Sequence, residues 1–131
     1  MNEAMRNAIE ALKTALKESD ELKAYNEAKE AYNTDEELKS LITEYNVQAS
    51  LLETEGQKPE AERDTAVIEK ISARLRELYD TISENKTLNQ MREAESDLSA
   101  IVAEINQAVQ ITIDPESANC THDCSTCGGC H

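Results

Sequence analysis

Apolar residues recur every three or four positions along most of the chain, which is the spacing of one face of an α-helix. The first run includes Ile9, Leu12 and Leu16, and a second run includes Leu22 and Tyr25. No segment alternates between apolar and polar residues for long, and the short stretch "VQITID" fits the frayed end of a helix. The pattern therefore predicts an all-α protein.

Capping residues divide these apolar runs into separate helices. Ser19 or Asp20 is a suitable N-cap for the second helix, because a short side-chain oxygen accepts a hydrogen bond from a free backbone N–H group. Thr34, followed three residues later by Glu37, fits a capping box at the start of the third helix. A third interruption, "SENKTL", separates the last two apolar runs.

The third and fourth helices should form a long helical hairpin. Gly56 predicts the end of one helix, and Pro59 predicts the opening of the next. These two helices would have about 21 and about 25 residues, and their short connection favours antiparallel packing. The expected architecture is an antiparallel helical bundle over residues 1–114, closed by Asp114 and Pro115. Residues 115–131 should form a flexible, non-helical, cysteine-rich tail.

Composition limits the size of the core and the kinds of partner. The chain has 131 residues, no Trp, no Phe and four Tyr, so its apolar seams are narrow and a second chain could complete them. Its net charge of −14 disfavours nucleic acid and anionic membrane surfaces. The N-terminal residues lack the uninterrupted apolar run expected of a signal peptide, and no segment has the apolar length expected of a membrane span. We therefore expect a cytoplasmic protein that self-associates.

All four cysteines and both histidines lie in the last twelve residues, "CTHDCSTCGGCH". In a reducing cytosol, clustered cysteines indicate a metal or redox site more often than structural disulfides. The candidate ligands are Cys120, Cys124, Cys127 and Cys130, with His122 and His131 as less favoured additions. The rest of the chain contains no phosphate-binding loop and no catalytic motif, which indicates a protein that is not an enzyme.

The spacing of the cysteines leaves several kinds of site open. Thiolates suit iron–sulfur clusters, Zn²⁺ and Cu(I), and Gly128 and Gly129 would allow the tight turns that such ligation needs. Repeated gaps of two residues favour an iron–sulfur cluster of the 4Fe–4S type over zinc, because zinc ribbons have separated cysteine pairs. The remaining alternatives are redox-active thiols and a tail without function. A radical-SAM enzyme would need a large α/β barrel, which this chain lacks.

Three segments resemble the YlbF/YmcA family of small helical bacterial regulators. They are "SDELKAYNEAKEAYNTDEELKSLITEYN", "GQKP" followed by a long helix, and "LYDTISENKTLNQMREAESDLSAIVAEINQAV". The cysteine tail makes the chain similar to the YlbF-type branch in particular, since relatives of the YheA type lack such a tail. The resemblance covers nearly the whole chain, and the tail is its most specific part.

The resemblance implies both a fold and a function. Members form all-α bundles and tend to dimerise, and YlbF and YmcA types join YaaT in a complex that carries iron–sulfur clusters. That complex is linked to competence, sporulation and biofilm control, and to RNA maturation through RNase Y. We therefore expect a regulatory adaptor that forms a homodimer or a hetero-oligomer with YmcA-like and YaaT-like proteins. By the same resemblance the four tail cysteines would supply cluster ligands, with zinc as the alternative metal.

Overall fold

The computed structural model describes residues 1–116, and every regular element in that part of the chain is helical. The prediction of an all-α fold is confirmed for these residues. A short 3₁₀ turn lies between the third and fourth α-helices. The α-helices are α1 (Glu3–Glu18), α2 (Asp20–Thr34), α3 (Glu36–Gly56), α4 (Thr65–Ser83) and α5 (Lys86–Ile113).

Ser19 separates the first two helices, as the sequence predicts. Its backbone is extended, which ends α1, and its hydroxyl oxygen accepts a hydrogen bond from the Leu22 backbone N–H at 3.2 Å. The same hydroxyl donates to the Leu16 carbonyl at 2.6 Å. One side chain therefore satisfies a free donor of α2 and a free acceptor of α1, which fixes the position of the break.

The predicted capping box at Thr34 is wrong. Thr34 is the last residue of α2, and its hydroxyl donates to the Glu30 carbonyl at 2.9 Å. Asp35 is the N-cap of α3 instead, and its carboxylate accepts from the Leu38 N–H at 2.9 Å. A threonine hydroxyl can bond backward within its own helix, and the adjacent aspartate is the stronger cap.

The connection between α3 and α4 is longer than predicted. Gly56 is the last residue of α3, as expected, but Pro59 begins only a single 3₁₀ turn. α4 has 19 residues. It starts at Thr65 because the Asp64 carboxylate caps the N–H groups of Ala66 and Val67. The proline fixes the backbone of the connecting turn rather than the first turn of the helix.

Helices α3 and α4 pack against each other as an antiparallel hairpin. Glu55 and Asp64 hydrogen-bond beside the turn, and farther along Glu44 of α3 pairs with Arg74 of α4. Leu38 and Leu78 are each only 1% exposed. The predicted hairpin is therefore present, with the most deeply buried apolar side chains at its open end.

The chain divides into two compact units, Met1–Glu95 and Ser96–His131. The first contains α1 to α4 and the beginning of α5. The described part of the second is the remainder of α5 and residues 114–116. The α-helix ends at Ile113, directly before Asp114, as predicted. The predicted domain boundary at 114/115 stays a prediction, and the predicted tail lies almost wholly outside the described residues.

Candidate partner-binding surfaces and metal-ligating residues

A charged cluster lies on the surface of the α3–α4 hairpin. The Arg74 guanidinium donates through Nε and Nη2 to the two carboxylate oxygens of Glu44, at 2.6 and 2.8 Å, and through Nη1 to Glu77 at 3.1 Å. This bonding lowers the pKa of Glu44 and raises the pKa of Arg74. A bidentate pair fixes the distance and the orientation of its two side chains. The pair of Arg74 with Glu44 therefore bridges the two helices of the hairpin.

Glu55 is a carboxylate held inside the turn of the hairpin, with only 8% of its surface exposed. One oxygen accepts from the Lys58 ammonium at 2.7 Å, and the other accepts from the Asp64 backbone N–H at 2.8 Å. The bond to Lys58 is the main reason that the pKa of Glu55 is lowered, and it also raises the pKa of Lys58. This buried carboxylate ties the end of α3 to the residue that caps α4.

The junction between α2 and α3 lies against the start of α5. The pKa of Asp35 is lowered, first by the backbone N–H of Leu38 and next by the side-chain hydroxyl of Thr87. Asn85 caps α5 by accepting from the Leu88 N–H at 3.0 Å. The Asp35 carboxylate therefore links two helix starts that are far apart in sequence.

A small open cavity lies between the hairpin and the start of α5, with a volume of about 220 Å³. Its lining consists of Ile42, Tyr45, Tyr79, Ile82, Ser83 and Arg92. Tyr79 is 62% exposed at its rim. Pockets for small-molecule ligands are commonly about 300–1,000 Å³, so this cavity suits a single inserted side chain better than a metabolite. Tyrosine and arginine are also common in the centres of protein–protein contacts.

Helix α1 carries an apolar face with little cover. Met5, Ile9 and Leu12 are exposed, and Leu16 is half-buried beside the junction with α2. The spacing of these residues places them on one side of the helix. The residues of this face are of the kind that usually pack in a core, but no residue of α1 is buried.

The part of α5 that lies in the second unit carries a similar face. Leu98, Ile101 and Ile105 are half-buried, while Val102 and Val109 are about half exposed, at 48% and 51%. Ala94, which lies in the first unit, is the buried residue of this helix. Both α1 and this part of α5 therefore present apolar stripes that a further helix could cover.

The predicted metal ligands lie outside the residues that the structure describes. These predictions therefore stay untested at Cys120, Cys124, Cys127, Cys130, His122 and His131. Within residues 1–116 there is no group of three or more His, Cys, Asp or Glu side chains that could hold a metal ion. No helix in the same range has the length and apolar character required to cross a membrane.

Comparison with known proteins decides the family. The profile described as "Control of competence regulator ComK, YlbF/YmcA" matches residues 5–114. The chain belongs to the YlbF/YmcA family. The resemblance seen in the sequence is therefore confirmed, and it places the chain in a family linked to control of the competence regulator ComK.

Two relatives of this YlbF/YmcA-family chain come from Caldicellulosiruptor species, and both are named "UPF0342 protein". The protein from Caldicellulosiruptor bescii is 34% identical over 113 residues, which cover 84% of this chain and 91% of the relative. The protein from Caldicellulosiruptor saccharolyticus is 29% identical over 113 residues, covering 84% and 90%. No solved structure matches the chain.

Sequence reasoning missed the polar residues that bridge the two helices of the hairpin and its turn. Glu44, Glu55 and Arg74 are three members of a chain that is 31% charged, and nothing in their spacing distinguishes them from residues on a solvated helix face. The one available signal was that Glu44 falls between apolar positions on α3, beside Leu41 and Tyr45. Such a charge needs a partner across the helix pair.

Proposed function

We propose that this chain is a non-enzymatic regulatory adaptor of the cytoplasm that acts by assembling with other protein chains. The apolar faces of α1 and of the C-terminal part of α5, whose residues are exposed or half-buried within this chain, are the observation that carries this proposal. Apolar stripes of this kind on a strongly acidic chain are suited to helix–helix contacts with a partner. Membership of a family named for control of ComK supports a regulatory role that is exercised through proteins.

The proposed assembly is a homodimer, or a hetero-oligomer with YmcA-like and YaaT-like proteins that completes a helical bundle. The processes proposed for it are competence, sporulation or biofilm control, and RNase Y-dependent RNA maturation. These finer assignments rest on the family resemblance and on the cysteine segment at the end of the chain. Neither the partner set nor the process requires direct contact with nucleic acid, which the net charge of −14 disfavours.

The proposed cofactor is an iron–sulfur cluster of the 4Fe–4S type, with Cys120, Cys124, Cys127 and Cys130 as ligands. The donor chemistry fits, because four closely spaced thiolates suit iron–sulfur clusters. Residues 1–116 supply no competing group of ligands, so the ligands of this chain would come from the cysteine segment. When bound, such a cluster supplies a group that responds to oxygen, iron and redox state. The cysteines' part is to hold it and so link assembly to those conditions.

The cluster is tested by anaerobic purification followed by absorption spectroscopy and measurement of iron, sulfide and zinc. We expect broad visible absorbance, with iron and sulfide in similar amounts. The fourfold change of these cysteines to serine should abolish both, whereas changing Ser125 to alanine and Thr126 to valine, within the same segment, should not. Stoichiometric zinc without sulfide, together with failed reconstitution, would replace the cluster by the zinc or thiol-redox alternative.

The adaptor role is tested separately, by co-purification from the native host. A stoichiometric partner that is retained by the four-serine variant would show that the helical faces carry assembly and that the cysteines modify it. Loss of that partner from a chain with intact cysteines but an Ile9→Glu substitution would place the contact on α1. If neither a partner nor a second copy is recovered with the wild-type chain, the adaptor proposal fails.

A further inference from the structure

The apolar faces of α1 and of the C-terminal part of α5 have the same order of residues. The face of α1 consists of Met5, Ala8, Ile9, Leu12, Ala15 and Leu16. The face of α5 consists of Leu98, Ile101, Val102, Ile105, Ala108 and Val109. In both, successive apolar positions are separated by the same steps, which follow the a, d and e positions of a heptad repeat. Two such faces can be aligned position by position over two heptads.

The residues that flank these two faces carry opposite charges. Arg6 and Lys13, one heptad apart, border the face of α1, and both are exposed. Asp97 and Glu104, also one heptad apart, border the face of α5, and both are exposed. The Lys13 ammonium lies 2.9 Å from Glu10, but those side chains are 55% and 70% exposed, so that pair is weak and easily exchanged.

The charge of the α5 segment argues against pairing of this face with itself. The described residues from Ser96 to Glu116 contain four acidic side chains and no basic one. Two such segments side by side would bring carboxylates together without a cation between them, which is unfavourable. The face of α1, with basic residues on one border, is the complementary surface within the described chain.

We infer that α1 of one copy of this chain packs on the C-terminal part of α5 of a second copy. In the aligned register, Met5 lies level with Leu98 and Leu12 lies level with Ile105. In the same register Ala8 faces Ile101, and Ala15 faces Ala108, where two small side chains let the helices approach closely. This inference rests on the proposed self-association and names the two surfaces that form it.

The charged borders also select the direction of the helices. Arg6 and Lys13 are at the b positions of α1, which lie beside the e positions on one side of its apolar face. Asp97 and Glu104 are at the g positions of α5, which lie on the opposite side of the apolar face of that helix. In a parallel pair, these opposite sides meet, as g and e positions do in a parallel coiled coil. Arg6 then faces Asp97 while Lys13 faces Glu104. An antiparallel pair would not align the two borders.

The test exchanges the charges on the two borders. One variant carries Arg6→Glu with Lys13→Glu, and the other carries Asp97→Lys with Glu104→Lys. Within a dimer of either variant, α1 meets an α5 segment of like charge, so we expect dimerisation to weaken at least tenfold in sedimentation equilibrium at low salt. When the two variants are mixed, each α1 meets an α5 segment of opposite charge at both contacts. The mixture should therefore form a heterodimer with close to wild-type affinity.

A matched control changes the net charge equally without touching these borders. Lys17→Glu with Lys23→Glu changes the net charge by the same amount as Arg6→Glu with Lys13→Glu. We expect this control variant to dimerise as the wild type does. Circular dichroism of every variant should show wild-type helix content. The rescue by mixing is the decisive result, because a variant that failed to fold could not be rescued by another chain.

Three results would overturn the inference, and they differ in what they leave standing. If the wild-type chain dimerises and both charge variants dimerise equally well, self-association stands but this contact does not. If the wild type is a monomer at about 100 μM, both the contact and the proposed homodimer fail, whereas the cluster test is unaffected. If a chain with all four substitutions regains stability as a monomer, the two faces meet within one chain and the intermolecular pairing is wrong.

Discussion

The α3–α4 hairpin and the two exposed helical segments, α1 and the C-terminal part of α5, have similar sequence patterns and different degrees of cover. In the hairpin, Leu38 and Leu78 are 1% exposed, and the ion pair between Glu44 and Arg74 crosses from one helix to the other. In α1, no residue is buried. Apolar periodicity therefore predicted a helix equally well in both regions, but it did not predict which faces a single chain covers.

The difference has a physical cause in how burial is achieved. A hairpin covers its own apolar faces, because a short connection holds its two helices side by side. A helical face without such a neighbour gains little from its apolar residues until another helix arrives. The hairpin is thus the part of the fold that is complete in one chain, whereas α1 and the end of α5 are the parts that a partner can stabilise.

The largest expected effect is at the core of the hairpin. Leu78→Ala removes a nearly inaccessible side chain and leaves a cavity against α3, so it should reduce the free energy of unfolding by about 2–5 kcal/mol. Ile113→Ala, at a side chain that is 73% exposed, should change it by less than about 0.5 kcal/mol. Urea denaturation followed by circular dichroism measures both variants.

The oligomeric state must be matched in that comparison, because dimerisation adds stability that depends on concentration. Both variants are therefore measured over a range of protein concentrations. If Ile113→Ala were as harmful as Leu78→Ala, the hairpin would not be the stable centre of this fold.

The second effect concerns acid. The pKa values of Glu44, Glu55 and Asp35 are lowered in the folded protein, so these carboxylates bind protons more readily when the chain is unfolded. Their stabilisation is fully present above the unfolded values, which are 4.5 for Glu and 3.8 for Asp, and it is lost as the pH falls through the lower folded values. We expect Tm to decrease as the pH is lowered from about 5 to about 3.

Neutral variants separate this effect from the general charge of the chain. Glu44→Gln and Glu55→Gln should each be less stable than the wild type at pH 7, and the difference should shrink towards zero near pH 3. Glu69→Gln removes a charge at an exposed position of α4, and this variant should be as stable as the wild type at both pH 7 and pH 3. A constant difference across the pH range would mean that these carboxylates do not act through their ionised forms.

The sequence predicted most of the helices and their boundaries, but it did not predict which side chains of different helices contact each other. Ser19, Gly56 and Asp114 marked helix boundaries correctly, because capping and breaking act over a few neighbouring residues. Thr34 and Pro59 misled, since Asp35 and Asp64 compete for the capping role and supply the stronger carboxylate caps. The hairpin followed from its short connection, but the pairing of Glu44 with Arg74, thirty positions apart in sequence, depends on the register of the two helices.

The candidate site divides in the same way. The cysteine segment could be recognised from the sequence, because the kind of ligand and its spacing are local properties. The exposed faces of α1 and α5 could not be recognised there, since Leu12 and Leu78 occupy equivalent places in their apolar patterns and only one of them is buried. The exposure of a helical face depends on which helices pack against it, and a local sequence pattern does not contain that information.

A smaller effect is expected at the cap between α1 and α2. Ser19→Ala removes the acceptor for the Leu22 N–H and should reduce the stability of α2 by about 1 kcal/mol. Because α1 and α2 meet there without a buried residue in either helix, the change should appear as faster amide hydrogen exchange at Leu22 and Lys23. Exchange at Leu78, in the hairpin, should stay unchanged. Equal acceleration at both places would show that α2 and the hairpin unfold together.

The smallest effect should be a gain in stability at the turn of the hairpin. Gly56 is the last residue of α3, and an added Cβ atom would meet nothing within 4 Å. The following residue, Gln57, has φ −79°, so the helix ends here without a left-handed residue. Gly56→Ala should therefore raise the free energy of unfolding by about 0.4–1 kcal/mol, because alanine loses less conformational freedom on folding. Urea denaturation of Gly56→Ala and of Leu78→Ala shows whether both substitutions shift the same cooperative unfolding transition. A loss of stability would mean that the hairpin's turn needs the glycine backbone, and that α3 does not end in the helical conformation described here.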